Sequence, residues 1–376
     1  AMRQELRKGR RDMLSRVLEA AESLDVYSFS KPSETLPAPP QARSAPLGAA
    51  VEDFLAEHRP QWSGEMEKKA GSYLAVLLEY FEPDRPLAEI TRNDAADLKK
   101  VVQTLPANRN TKRETRDLTL QEAIAVPGLS KITAKTVNNY IDMFRRFWDW
   151  AERHDHTPHK LFDGMKVAKA KQAAQSRKAY SKEQTALIYA ELTENHSGLV
   201  KKDDYKWCSL LALYTGARRR EIAQLYVSDI RQEGAIWYID INDDGENKSL
   251  KTHAAKRRVP IHSELIRLGF LDWVFAMPKG QRLFLSFGFN VKEGYGRNPG
   301  RWFNGPFLKG LGITDSRLVL HSLRHTLVTR LAQAGVPEPL YQEIVGHERQ
   351  GVAQQVYFKE GHTLAQKQEA IERFGI

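Results

Sequence analysis

Apolar residues recur at helical spacing through the first half of the chain. In "EMEKKAGSYLAVLLEYF" (65–81), Met66, Tyr73, Leu74, Leu77, Leu78 and Phe81 share one helical face, and Pro83 stops the run. "TRNDAADLKKVVQTL" (91–105) opens on Thr91 as a cap and ends at Pro106. "SKITAKTVNNYIDMFRRFWDWAERH" (130–154) predicts a long helix with Ile141, Phe144, Trp148 and Ala151 on one side. Its other side carries Lys131, Lys135, Asn138, Asn139, Arg145 and Arg146. A solvated face and a face lying on a phosphate backbone serve that composition equally well. From about residue 180 the pattern becomes mixed. "SKEQ" (181–184) is a Ser-x-x-Gln capping box, one helix runs to Gly216, and another begins near Arg218 and covers "RRREIAQL". "AIWYIDI" (235–241) alternates and is rich in Ile, Trp and Tyr, so it predicts a strand; "KRRVPI" (256–261) predicts another, and "RLFLS" (282–286) a short third. The Asp-Gly of "DDGEN" (243–247) is a hairpin signal, and the remainder reads as helix.

These patterns divide the chain. Residues 1–50 combine a basic helical stretch (1–24) with the Pro-, Ser- and Ala-rich "SKPSETLPAPPQARSAPLG", expected to be an extended linker. Residues 51–165 form a helical domain. Residues 166–179 contain "KVAKAKQAAQSRK", five basic residues without an acid or an apolar period, expected to link domains and touch a polyanion. A second domain covers 180–361, and a tail, 362–376, carries Leu364, Ile371 and Phe374 on a narrow apolar stripe.

Composition narrows the partners. The chain has 376 residues, 57 Lys and Arg against 47 Asp and Glu, and a formal charge of +10. Its isoelectric point is about 9.4. A polyanion is the natural partner of such a chain, nucleic acid before an anionic membrane. The N-terminal stretch is charged, without the apolar segment of a signal peptide, and no run of about 18 apolar residues is present. Ala1 ahead of Met2 reads as a tag junction. The one cysteine, Cys208, lies in apolar "WCSLLALY" and predicts a buried thiol in a reducing, cytoplasmic setting.

Candidate chemistry starts from exclusions. No Gly-Lys dipeptide is present, hence no P-loop, and neither HExxH nor a dinucleotide fingerprint occurs. In "HSLRHTLVTR" (321–330), His321, Arg324 and His325 stand three and four apart, one helical face that suits a metal or a phosphate. Arg218 opens a helix, with Glu221 three residues on: a helix start that favours an anion, or a surface ion pair. Lys251 lies in basic "NKSLKTHAAKRR"; His347 follows Gly346 at a helix end; Tyr357 follows in "QQVYFK". Each alone has a structural reading: a surface lysine, a C-cap histidine, a core tyrosine.

Taken in order, "TGARRRE", "KT…RRVPI", "HSLRH", "GH" and Tyr357 resemble the boxes of the tyrosine recombinase, or phage-integrase, family over residues 215–357. A weaker likeness extends to a helical DNA-binding domain over about 51–165. The resemblance implies a fold that is mainly α with a small antiparallel β-sheet: a helical core-binding domain plus a mixed α+β catalytic domain, forming a clamp on DNA. It implies Tyr357 as nucleophile, forming a 3′-phosphotyrosyl link; Arg218 and Arg324 as the pair on the scissile phosphate; His321 and His347 as hydrogen-bonding, proton-moving partners. Lys251 would be the general acid, with Lys248 as the fallback, and Glu221 and His325 would support the site. The His347–Tyr357 gap is one residue longer than the family pattern.

The expected function is site-specific recombination, integrating and excising a mobile element without cofactors, on double-stranded DNA, as a dimer or tetramer. Accessory DNA-bending proteins are a further partner class, no membrane is involved, and the expected location is the nucleoid. Expected DNA contacts are Lys131, Lys135, Asn138, Arg145, Lys169, Lys171, Arg177 and Lys178. The tail would dock on a neighbouring protomer, against the plainer reading of packing on its own domain. Rival readings are type IB topoisomerase or telomere-resolvase activity on the same chemistry, a non-catalytic DNA binder, and a metalloenzyme using His321, His325 and His347.

Overall fold

The structure, a computed structural model, describes residues 9–19, 44–168, 177–347 and 361–376. Tyr357, Lys169 and Lys171 lie outside the described residues, as does most of the expected linker. The chain divides into two compact units, residues 1–170 and 171–376. Residues 9–19 form a helix, α1, exposed throughout.

The first unit is helical: α2 (Leu47–His58), α3 (Gly64–Phe81), α4 (Arg92–Thr104), α5 (Leu120–Ala125) and α6 (Ala134–Arg153). Its packed part begins earlier than Val51, because Leu47 and Ala50 are already in the core. Hydroxyls set four helix starts: Ser63, Thr91, Thr119 and Thr133 each accept from a first-turn N–H. Such caps contribute about 1 kcal/mol each. The apolar stripes converge on Phe54, Leu74, Leu77, Phe144, Phe147 and Trp148, all at most 1% exposed. On α6 the outer face keeps Lys135, Asn139 and Arg146 exposed, with Lys131 exposed just ahead of the helix. Arg145 is half-buried and pairs with Asp149 at 3.3 Å. Asn138 departs from expectation. It is 8% exposed, its Nδ2 donates to the Val167 carbonyl at 3.1 Å, and its Oδ1 accepts from the Val167 N–H at 2.9 Å. The amide completes the backbone hydrogen bonding of an extended segment, so the side chain faces inward and is removed from the expected DNA-contact set.

The second unit opens with α7 (Lys182–Glu194), where Ser181 and Gln184 form the expected capping box, and α8 (Asp203–Thr215). From Trp207 onward α8 is buried on every side, Cys208 included; burial pushes that thiol up, away from reactivity. Gly216 stops α8 at φ 60°, and α9 (Arg219–Ala223) follows at once. A three-stranded antiparallel sheet comes next, β1 (Ile230–Glu233), β2 (Ile236–Ile241) and β3 (Arg257–Pro260), in the order β1-β2-β3. Short helices α10 (Ser263–Arg267), α11 (Phe270–Phe275) and α12 (Arg297–Trp302) precede a π-helical turn (Phe303–Phe307) and α13 (Leu308–Gly310). α14 (Leu320–Gln333), α15 (Glu338–Val345) and α16 (Leu364–Glu372) complete the unit. The fold is thus mainly α with a small antiparallel sheet.

Two strand expectations are corrected. The tight hairpin lies between β1 and β2, where Glu233 pairs with Ile236 across Gly234 at φ 58°. The Asp-Gly of 244–245 sits instead in a long connection from β2 to β3, with Gly245 at φ 139°, outside the two-residue turn geometry. "RLFLS" forms only one isolated bridge, Arg282 with Tyr226, because Leu283 and Phe284 turn into the core rather than along a sheet edge.

The tail packs on its own unit. α16 lies against β3 and α15, and Leu364, Ile371 and Phe374 enter the core. His262 Nε2 contacts the Phe374 carbonyl at 3.2 Å, and Ser263 donates from Oγ to Glu372 at 2.6 Å.

Candidate active site

Two left-handed glycines build the site. Gly216 ends α8 and Gly346 ends α15, at φ 60° and 73°. A Cβ on Gly216 would come within 2.7 Å of Val345, and one on Gly346 within 2.6 Å of the Arg257 guanidinium. Both therefore need glycine for backbone conformation and for space. The carbonyls these helix ends leave free accept from arginines. Arg324, on α14, donates from Nη1 to the Gly216 carbonyl at 2.7 Å and to the Val345 carbonyl. Arg218, capping α9, donates from Nη2 to the Gly346 carbonyl at 3.1 Å.

A single carboxylate binds this frame together. Glu221 is 3% exposed and accepts from Arg218 Nη1 at 2.7 Å and from Arg257 Nη2 at 2.9 Å. Burial pushes its pKa up, but the two arginines overcome this and hold the carboxyl below its usual range. Of the two readings open for this pair, the surface ion pair is set aside, because the carboxylate is buried. Arg257 was not expected. It donates from Nε to the Ile344 carbonyl and from Nη1 to the Ala255 carbonyl, both at 2.7 Å. The available signal was register: Arg257 is in phase with inward-facing Val259 on β3.

The cluster is over-supplied with positive charge. Arg324 is 4% exposed, and its Nη2 is buried with no hydrogen-bond partner. Burial, then Arg218 and Arg257, lower its pKa to about 9, so it is still charged at neutral pH. A buried donor without an acceptor is costly, and an anion at the cluster would relieve it. His321 lies one turn before His325 on α14, with ring centroids 5.2 Å apart. Partial desolvation, then His325, Arg324, Arg218 and Arg177, push the pKa of His321 down to about 4. His347 and His325 are lowered by the same causes, desolvation first and Arg324 next. All three rings are neutral at pH 7. Arg177 donates to the Ser316 carbonyl at 2.7 Å, and the Lys178 N–H to the Arg317 carbonyl at 3.4 Å.

The two candidate lysines separate cleanly. Lys248 is buried against Asp229, with Nζ to Oδ2 at 2.9 Å. Lys251, three residues later in the β2–β3 connection, is exposed and has no side-chain partner among the described residues. The structure thus brings together Arg218, Glu221, Arg324, His321, His325 and His347, adds Arg257, and leaves Lys251 free. Among the described residues, no group of three or more His, Cys, Asp or Glu is placed to hold a metal, and no helix is long and apolar enough to cross a membrane.

The family model described as "Phage integrase family" matches residues 179–362. No curated protein matches the chain. Among solved structures, a lambda integrase dimer bound to a COC′ core site is 16% identical, covering 92% of this chain and 86% of that one, with a TM-score of 0.53. The Tn1549 transposon integrase in complex with circular intermediate DNA is 15% identical, covering 84% and 95%, with a TM-score of 0.55. A lambda integrase tetramer bound to a Holliday junction is 15% identical, covering 90% and 88%, at 0.53. At such identities the likeness is one of fold, and it spans most of each chain. Residues 179–362, which hold the arginine–histidine cluster, are thus the part of the chain that matches the phage integrase family.

Proposed function

We propose that this protein is a site-specific DNA recombinase that cleaves and rejoins DNA through a 3′-phosphotyrosyl intermediate, integrating and excising a mobile element. The observation that carries this reading is the buried, unpartnered Nη2 of Arg324 in a cluster of three guanidiniums, only two of which, those of Arg218 and Arg257, pair with the one carboxylate, Glu221. That arrangement suits a phosphodiester, whose non-bridging oxygens accept paired N–H donors.

The proposed mechanism assigns each group one task. Arg218 and Arg324 hold the non-bridging oxygens and stabilise the charge that gathers there in the transition state. His321 and His347, neutral at pH 7, donate from one ring nitrogen to the phosphate while the other stays free to take a proton. Glu221 and Arg257 keep Arg218 in place; His325 buttresses His321. The Tyr357 phenolate attacks phosphorus, the bond to the 5′ oxygen breaks, and Lys251 gives that oxygen its proton. A proton donor there is worth roughly 10²–10⁴-fold, because the leaving alkoxide is strongly basic. Rejoining reverses the step: a 5′-hydroxyl attacks the phosphotyrosine and returns the proton to Lys251. The phosphodiester's energy stays in the covalent link, so no nucleotide is consumed. Lys131, Lys135, Arg145, Lys169, Lys171, Arg177 and Lys178 are proposed as phosphate contacts, and exchange would proceed in a dimer or tetramer on DNA, as the neighbours bound to core-site and junction DNA suggest.

The test is a nicked suicide duplex carrying the joined ends of the element that encodes the protein. A covalent protein–DNA band should form without ATP or divalent metal. Tyr357→Phe should bind the duplex and give no band; a band persisting in that variant removes Tyr357 as nucleophile.

A further inference from the structure

The β2–β3 connection (242–256) is a long excursion, yet in the mechanism proposed above it must deliver the exposed ammonium of Lys251 to a fixed point. Its root is tied down by a buried polar knot. Lys248 Nζ donates to Asp229 Oδ1 at 3.1 Å and Oδ2 at 2.9 Å, and to Asn242 Oδ1. Asn242 Nδ2 returns a bond to Asp229 Oδ1 at 3.0 Å. Asp229 Oδ2 also accepts from the Tyr226 N–H at 2.8 Å, and Asn242 Oδ1 from the Asp244 N–H at 3.1 Å. The Lys248 side chain is 0% exposed and that of Asp229 4%. A buried ion pair is defensible only when its remaining donors and acceptors are satisfied, and here they are.

A second tie lies beside it. The Ser249 N–H donates to Gln224 Oε1 at 3.1 Å, and Gln224 is 1% exposed at the end of α9. α9 is capped at its other end by Arg218. The segment that leads into Lys251 is therefore bolted at Ser249 to the end of the short helix that Arg218 caps, and at Lys248 to Asp229 and Asn242 at the two ends of the β1–β2 hairpin. Gly245 makes room for the bolt, since a Cβ there would meet Lys248 Cδ at 3.1 Å.

We infer that Lys248, through its ion pair with Asp229, is a positioning residue that sets Lys251 relative to Arg218 for protonation of the leaving 5′ oxygen. This inference rests on the recombinase reading above. Lys248 itself never touches DNA in this scheme. Its ammonium is consumed by Asp229 and Asn242, and its effect passes along three residues of backbone.

The test separates positioning from folding by changing the leaving group. A 5′-bridging phosphorothiolate expels a thiolate, which needs no general acid, whereas the ordinary phosphodiester expels an alkoxide, which does. Single-turnover formation of the covalent complex is measured on both duplexes. Lys248→Met leaves Asp229 buried without its partner and risks misfolding, so the double variant Lys248→Met/Asp229→Asn is made alongside it. Wild-type protein should react with both substrates. Lys251→Ala should lose at least about tenfold on the phosphodiester and react near the wild-type rate on the phosphorothiolate. The inference expects whichever Lys248 variant folds and binds DNA to show the same split. Equal losses on the two substrates, or no loss on either, overturn it, and so does a double variant that does not fold, because the pair then serves the fold rather than the acid. Absence of a covalent complex from wild-type protein on both duplexes overturns the recombinase reading instead, and failure of Lys251→Ala to be rescued removes Lys251 as the acid.

Discussion

His321 shows how one environment sets both chemistry and stability. Its pKa in the folded chain is pushed down to about 4 by desolvation and then by His325, Arg324, Arg218 and Arg177. The reference value is about 6.5, so the unfolded chain takes the proton first. The share of stability that His321 contributes without DNA should therefore be lost as pH drops from about 6.5 towards about 4. His321→Gln should flatten part of that slope in urea titrations run across the window; an unchanged slope would mean the ring titrates normally. Arg324 supports a second expectation. Arg324→Lys keeps a charge but loses the planar fork that spans two carbonyls and holds Nη2 unpartnered. Covalent complex formation should drop by roughly 10²–10³-fold, the cost of one preorganised donor on a developing charge, with DNA affinity changed only a few-fold in gel shifts. These residues were legible from their boxes, since Arg218, Glu221, Arg324 and the histidines occur at fixed local spacing. Arg257 was not, because its partners Glu221 and Ile344 come from 36 and 87 residues away. Asn138 misled for the same reason: its fate depends on Val167, far along the chain.

At the level of elements, what could be read locally was read well. The Thr91 and Ser181 caps and the Gly216 stop depend only on residues within a turn, and each is present. Strands fared worse, because pairing is not local. Gly234 closes the β1–β2 hairpin while the stronger-looking Asp-Gly sits in an open connection, and "RLFLS" is drawn into the core rather than onto an edge. Glycine position is the more useful signal here. Gly346→Ala should cost about 1–2 kcal/mol for a left-handed alanine, and its Cβ would also press on the Arg257 guanidinium at 2.6 Å. Because Arg257 holds Glu221, cleavage should fall along with thermal stability. Gly280→Ala is the matched control, with φ at 88° and open space around the added carbon. It should carry the backbone cost alone and leave the cleavage rate intact. Equal behaviour of the two variants in single-turnover assays would show that the contact with Arg257 is without consequence.

Over the whole molecule, the apolar residues sort into two cores that share no residue, one within 47–165 and one within 180–374. The second core is closed by the last turns of the chain. Ile371 is 0% exposed, Phe374 2% and Leu364 6%; Lys367 pairs with Glu343 at 2.7 Å and Arg330 donates to the Gly375 carbonyl at 2.7 Å. Each such apolar side chain is worth about 1.5–3 kcal/mol when buried, so the three together are comparable with the 5–15 kcal/mol that holds a typical domain folded. The apolar stripe that suggested docking on a neighbour is thus the stripe that seals its own unit. Deleting residues 362–376 should lower the melting transition of the second core by 10 °C or more, an amount set by roughly 5 kcal/mol in a domain of this size. The first core should melt as before, which near-UV circular dichroism and single-core variants such as Phe144→Ala can assign. A tail that served only a neighbour predicts the opposite: full-length and truncated chains melting together at low protein concentration, and differing only in the complexes they build on DNA.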